Sequence, residues 1–194
     1  VLFRSIAGGT VRSEVLDAGC GHAELSLALA AEGHTVVGID VAPSAVAAAT
    51  AAAQERGLGT ATFVCDDITA FTGYDGRFAT IIDSTLFHSL PVEGRDGYLR
   101  SIHRAAAPGA HYYALVFAKG AFPAELETKP NEVDEGELRA AVSKYFEIDE
   151  IRPARIHSHR PEIPGMPADV MPFDLDEKGR VKMPAYLLSA HRAD

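Results

Sequence analysis

Short apolar runs alternate along the chain with longer stretches of helical periodicity, the pattern of a parallel sheet whose strands are separated by helices. Glu14 to Asp17 reads as a first strand, and His22 to Glu32 as the helix after it, closed by Gly33. Thr35 to Asp40 is a second strand. Pro43 suits the first turn of an alanine-rich helix that runs to Arg56. Thr60 to Cys65 and Phe78 to Asp83 supply the third and fourth strands, and the near absence of polar residues in the fourth predicts burial on both faces. A helix from Val92 to Ala107 is expected to stop at Pro108-Gly109, followed by a fifth strand from His111 to Ala118. Asp134 and Glu137 stand three apart, as an N-cap and N3 pair do, ahead of a helix reaching Lys144. Phe146 to Arg152 and Ala185 to His191 read as the last two strands. Between them, Pro153 to Pro184 holds six of the eleven prolines and is expected to be one long loop.

A chain of 194 residues fits one domain, 1–194, with a full core. Its most apolar stretch, Val36 to Ala53, is broken by Asp40, Pro43 and Ser44, so no run reaches the ~18–20 residues that span a bilayer. The first residues, Val1-Leu2-Phe3-Arg4-Ser5, lack the basic segment and long apolar core of a signal peptide. Cys20 and Cys65 are the only cysteines, which suits a reducing cytoplasm. A net charge of −9, with Lys and Arg scattered, disfavours nucleic acid as a partner. No membrane partner is expected, and the sequence does not set an oligomeric state.

The sharpest chemical signal is Val15-Leu16-Asp17-Ala18-Gly19-Cys20-Gly21-His22-Ala23: strand, glycine loop, helix. Gly19 and Gly21 let a ligand approach the backbone around Cys20, and the helix N-terminus beyond offers free N–H groups to an anion. A dinucleotide fingerprint has a third glycine three residues after the second, where this chain has Glu24. Asp17, two places before the first glycine, can accept from an ammonium group, which a nicotinamide dinucleotide lacks. Asp40 ends the second strand and can accept from both hydroxyls of a ribose, with Val41 beside it. Alternatively, Asp40 caps the next helix. Asp67 is placed to accept from an adenine amino group with Ile68 on the ring; Asp66 is its rival, and either acid also suits a solvated turn.

Val15-Leu-Asp-Ala-Gly-Cys-Gly, Val37-Gly-Ile-Asp40, Phe63-Val-Cys-Asp-Asp67 and Ile81-Ile-Asp-Ser84 together resemble the successive motifs of class I methyltransferases that use S-adenosylmethionine (SAM). The resemblance implies an α/β, Rossmann-like fold: a seven-stranded, mostly parallel sheet in the order 3-2-1-4-5-7-6, helices on both faces, and SAM as cofactor. It places Asp83 and Ser84 at the methionine end of SAM. Asp83 to Pro91, Tyr98-Leu99 and Pro108-Gly109 are similar to a small-molecule branch that includes thiopurine and tellurite-resistance methyltransferases. Pro130 to Asp134 and Lys182 to Leu187 extend the likeness to the mycobacterial benzoquinone or heterocyclic toxin methyltransferases. The implied acceptor is a phenolic, quinone-derived or heterocyclic small molecule. The chain departs from the family at Ala23, where a third glycine is common, and in having only about a dozen residues before the first strand, where the family carries a helical segment.

Methyl transfer from a sulfonium is an in-line displacement governed by alignment and exclusion of water. A phenolic acceptor gains from a base, and His88, just beyond the fourth strand, is the catalytic candidate, with a packing or hydrogen-bonding histidine beside Phe87, or a residue that contacts the acceptor without moving protons, as the alternatives. Phe117, Phe122 and Tyr186 are candidate walls of an acceptor pocket, though aromatic residues at strand ends are more often core. His157 and His159 form a His-x-His pair with no further ligands nearby, so they read as exposed loop histidines and no metal is expected. The rival readings are an S-methyltransferase, a nicotinamide-dependent oxidoreductase and a non-catalytic SAM-binding protein.

Overall fold

The computed structural model describes residues 11–122, 129–159 and 174–194. Seven strands form one sheet in the order β3-β2-β1-β4-β5-β7-β6. They are β1 Val15–Ala18, β2 Val36–Asp40, β3 Ala61–Cys65, β4 Phe78–Ser84, β5 Ala106–Phe117, β6 Glu147–Ser158 and β7 Val181–His191. β7 runs antiparallel to both its neighbours, and the other pairings are parallel. Among the described residues four helices accompany the sheet: α1 Glu24–Ala31, α2 Pro43–Glu55, α3 Val92–Ala105 and α4 Glu135–Val142.

The helices divide between the two faces. Leu29 and Ala30 of α1 pack with Val15, Val36 and Ile82 on one face, where α1 is also tied by Glu24 to Arg56 at the end of α2. Tyr98, Leu99 and Ile102 of α3 and Leu138 and Val142 of α4 pack with Leu16, Ile39 and Ile81 on the other. β1 and β4 contribute to both clusters: Leu16, Ala18, Phe78 and Ile81 to one, Val15 and Ile82 to the other. Each fully buried Leu or Ile contributes about 1.5–3 kcal/mol. Asp134 caps α4, its carboxylate accepting from the Glu137 N–H at 2.7 Å.

Two expectations need correction. The helix after β4 stops at Ala105, and Pro108-Gly109 lie inside β5 at a register shift against β4. A bulge there leaves proline no ladder bond to break, and Gly109 takes φ +64°. The proline-rich stretch is also shorter as a loop than 153–184: β6 continues through Pro153 to Ser158, and β7 begins at Val181 with Pro184 inside it. β6 lies at the sheet edge, where a missing N–H can face outward. Pro184 serves as an acceptor only, its carbonyl taking the Ala118 N–H at 3.1 Å. The middle of this stretch, 160–173, lies outside the described residues, as do residues 1–10, where the N-terminal expectations fall.

Candidate active site

β1 and β4 are neighbours in the sheet but not in the chain, so their C-terminal ends flank the point where strand order reverses and a crevice opens. Gly19 and Gly21, at φ +68° and +52°, turn the chain out of β1 at that point. The N–H groups of Gly19 and Cys20 both donate to the Ile39 carbonyl, at 2.9 and 3.1 Å, which fixes the loop to β2. A Cβ on Gly19 would come within 2.7 Å of Leu86 Cδ1, so glycine is what allows the segment after β4 to lean on this loop. A Cβ on Gly21 would meet nothing within 4 Å, leaving an open lip. Ala23 then takes φ +61° as the N-cap of α1. Ala23 has no side chain to cap this helix, and among the described residues the N–H groups of Glu24 and Leu25 have no side-chain acceptor, which suits a ligand anion. The Cys20 thiol is pushed up to about 12 by burial, with the charges of Asp17 and Asp40 adding, so it stays protonated.

Asp40 holds both sides of the cleft. One carboxylate oxygen accepts the Gly21 N–H at 2.8 Å, the other the Ala42 N–H at 2.9 Å. The N-cap of α2 is Ala42 itself. A carboxylate has about four acceptor positions, so Asp40 retains capacity for ligand hydroxyls. Val41, directly after it, is 74% exposed. Asp66 and Asp67 are both exposed at the end of β3. Asp67 Oδ1 accepts the N–H and hydroxyl of Thr69 at 2.9 and 2.7 Å, while Asp66 Oδ1 accepts only the Asp67 N–H at 2.8 Å. Ile68 is packed into the core, so Val41 presents far more apolar surface to a ring than Ile68 does.

Asp17 is buried and accepts the Ser26 hydroxyl at 2.6 Å. Burial pushes it up to about 6, against the lowering effect of Ser26. Asp83 corrects the expectation for its side chain. It is 0% exposed, and its carboxylate accepts the N–H groups of Leu86 and Phe87, at 2.7 and 3.0 Å, and the Tyr98 hydroxyl at 2.9 Å. The Tyr112 hydroxyl lies 3.5 Å from the same oxygen. Burial pushes Asp83 up to about 7 in spite of these donors. Its carboxylate braces the segment after β4 from inside, whereas Ser84, the last residue of β4, is half-buried. Ser26 and Tyr112 were not singled out from sequence, and Leu86 and Tyr98 entered only as members of the family-like motifs, without these contacts. The nine-residue spacing from Asp17 to Ser26, strand end to helix, is the only one of these contacts with a local signal.

His88 is also corrected. It is 2% exposed, and its Nδ1 accepts the Phe117 N–H at 3.2 Å. That bond places the proton of the neutral ring on Nε2. Burial, with the nearby Arg95 charge, lowers the imidazole to about 4. A ring whose free nitrogen is already protonated is a donor at neutral pH, not a base. Its ring packs on Phe117 with centroids 4.5 Å apart, and Phe117 meets Phe122 edge-on at 4.8 Å. Tyr186 is half-buried against the core on β7. His157 lies on β6, not in a loop, and its Nδ1 pairs with Asp176 at 2.8 Å. Among the described residues no group of three or more metal-ligating side chains comes together, and no helix is long and apolar enough to cross a membrane.

A sheet of this order, with a glycine loop after β1 and acids ending β2 and following β3, defines a class I SAM-dependent methyltransferase. Residues 15–109 match the family model described as a methyltransferase domain. The chain is 52% identical over 192 residues to the 2-heptyl-1-hydroxyquinolin-4(1H)-one methyltransferase of Mycobacteroides abscessus, covering 98% of this chain and 84% of that protein. The chain belongs to the methyltransferase family. A solved structure described as "Conversion of a Disulfide Bond into a Thioacetal Group during Echinomycin Biosynthesis" superposes with a TM-score of 0.80 at 28% identity, over 98% of this chain and 80% of the other. The Burkholderia thailandensis 1,6-didemethyltoxoflavin-N1-methyltransferase, solved with its acceptor and S-adenosylhomocysteine, shares the fold with a TM-score of 0.64 at 20% identity, over 93% and 71% of the two chains.

Proposed function

We propose that this enzyme methylates a planar N-heterocyclic small molecule of the 1-hydroxyquinolin-4(1H)-one type. The carrying observation is the packed array of His88, Phe117 and Phe122 beyond the ends of β4 and β5. It sets flat aromatic faces beside the C-terminal ends of β4 and β5. The near full-length likeness to a hydroxyquinolone methyltransferase supports the same acceptor class.

The residues present fit SAM. Asp40 has acceptor capacity left for two ribose hydroxyls. Val41 offers an exposed face to the adenine, and Asp67 or Asp66 accepts from its amino group. The open side of Gly21 and the uncapped start of α1 receive the carboxylate of the methionine part. Asp17 lies behind the glycine loop, where a negative charge favours the ammonium. SAM, when bound, supplies a methyl group on a sulfonium, which departs as a neutral thioether.

His88 donates from Nε2 and orients an acceptor oxygen; it removes no proton. An N-hydroxy group conjugated to a ring carbonyl is more acidic than an ordinary alcohol, so its own ionisation supplies the nucleophile. The protein contributes alignment and a dry wall. The test is incubation of the chain with SAM and 2-heptyl-1-hydroxyquinolin-4(1H)-one, followed by mass spectrometry. A singly methylated product is expected. SAM binding with no methylated product from this or related hydroxyquinolones would reject the acceptor class.

A further inference from the structure

Thr85 is the first residue after β4 and has φ +79°. A glycine adopts that conformation freely, whereas a β-branched residue is strained in it. The surroundings enforce it. The Thr85 N–H donates to the Leu115 carbonyl of β5 at 3.0 Å, and its own carbonyl accepts the Ser89 hydroxyl at 2.9 Å. On one side Asp83 grips the N–H groups of Leu86 and Phe87. On the other, Leu86 rests on Gly19 where no Cβ would fit. With both backbone groups used and the turn gripped on either flank, the strain is locked in. The side chain itself is half-buried, and its hydroxyl has no hydrogen-bond partner among the described residues. Among the described residues the backbone bonds hold the strain, and the side-chain hydroxyl takes no part in them.

Position gives the strain a purpose. A sharp, strained strand-to-helix turn lifts one side chain above the carboxyl edge of a sheet, the device that presents a hydroxyl in other α/β enzymes. Here the turn stands between the glycine loop, reached through Leu86, and the aromatic wall, reached through Leu115 and, two residues on, Phe117. Among the described residues no acid–base pair addresses the Thr85 hydroxyl, which leaves it a role as donor and acceptor of hydrogen bonds and not as a nucleophile. Residues held in sparsely populated backbone regions cluster at ligand clamps and active sites.

We infer that Thr85 hydrogen-bonds the oxygen substituents of the acceptor and sets its orientation for transfer. This rests on the hydroxyquinolone reading above. The test compares Thr85→Gly, Thr85→Ala and Thr85→Ser by thermal melting, by calorimetric binding of S-adenosylhomocysteine, and by steady-state kinetics with SAM and 2-heptyl-1-hydroxyquinolin-4(1H)-one. Thr85→Gly is expected to melt at a higher temperature yet lose about tenfold or more in kcat/KM for the acceptor. Thr85→Ala is expected to lose a similar factor with its strain intact. Thr85→Ser keeps the hydroxyl and stays within about threefold of the parent. S-adenosylhomocysteine binding stays within about threefold in all three. An active parent with an equally active Thr85→Gly overturns the inference and leaves the function standing. A lower melting temperature for Thr85→Gly overturns it in favour of a packing role. Loss of S-adenosylhomocysteine affinity overturns it by assigning the hydroxyl to the cofactor. A parent that transfers nothing to this acceptor removes the hydroxyquinolone reading and the inference together.

Discussion

Ala23 carries a side chain at φ +61°, a position where L-residues cost about 1–2 kcal/mol and glycine does not. A helix can start with alanine; the left-handed backbone is what makes the side chain matter here. Ala23→Gly is expected to stabilise the cofactor-free protein by about 1 kcal/mol, read as a rise of about 2–4 °C in melting temperature. An unchanged or lower melting point would mean that the loop relaxes when the methyl group is removed. His88 makes a second test at this scale. Its imidazole is lowered to about 4 in the fold, so its neutral form is stable above the ordinary value of 6.5 and that stability is lost as pH falls through 4. At the pH of an ordinary assay it does not titrate. His88→Gln, which can still accept from Phe117 and donate from its amide, is expected to keep the shape of the pH–rate profile and lose less than about tenfold in rate. A drop of about 10²–10⁴-fold with loss of the acid limb would restore the base role.

The connection from β4 to α3 is built around Asp83, and its pH response belongs to the whole element. Its folded value of about 7 lies above the ordinary 3.8, so its contribution is present at low pH and lost as pH rises through 7. Asp83→Asn cannot ionise. Urea titrations are expected to find the stability gap between parent and variant narrowing by about 2 kcal/mol from pH 5.5 to 8.5. A constant gap would mean that the buried carboxyl keeps one protonation state throughout. This element also marks the limit of what the sequence discloses. The glycine loop and Asp40 were legible because strand, glycines and acid follow one another at fixed local spacing. The inward aim of Asp83 was not, because β4 is buried on both faces and lacks the alternation that would assign a side. Its partners come from α3 and β5, and the hydrogen bond that occupies His88 comes from Phe117, 29 residues away. The proline-rich stretch was read as all loop because proline opposes strands in general, while the edge position that admits it is a property of the assembled sheet.

At the scale of the molecule, the proposed role of Asp17 would link cofactor binding to protonation. Burial raises it to about 6 in the free protein. If a ligand ammonium sits near it, the bound value falls, protons are released on binding, and affinity tightens as pH rises through 6. SAM affinity by calorimetry is expected to be about tenfold weaker at pH 5 than at pH 7, with proton release visible as buffer-dependent heat near pH 5.5. Asp17→Asn should flatten that dependence; a flat profile in the parent would place the ammonium elsewhere. The sheet that organises these sites has two open rims of unequal length. β3 ends one side with only five residues, and β6 ends the other with twelve. A long outer strand is a template on which a stranger's backbone can extend the sheet. β6 interrupts the template: Pro153 removes a donor from its middle, and Glu147, Asp149, Glu150, Arg152 and Arg155 scatter charge along it. The same residue that disguises this segment as a loop in the sequence thus protects the folded molecule from aggregating along its longest exposed strand.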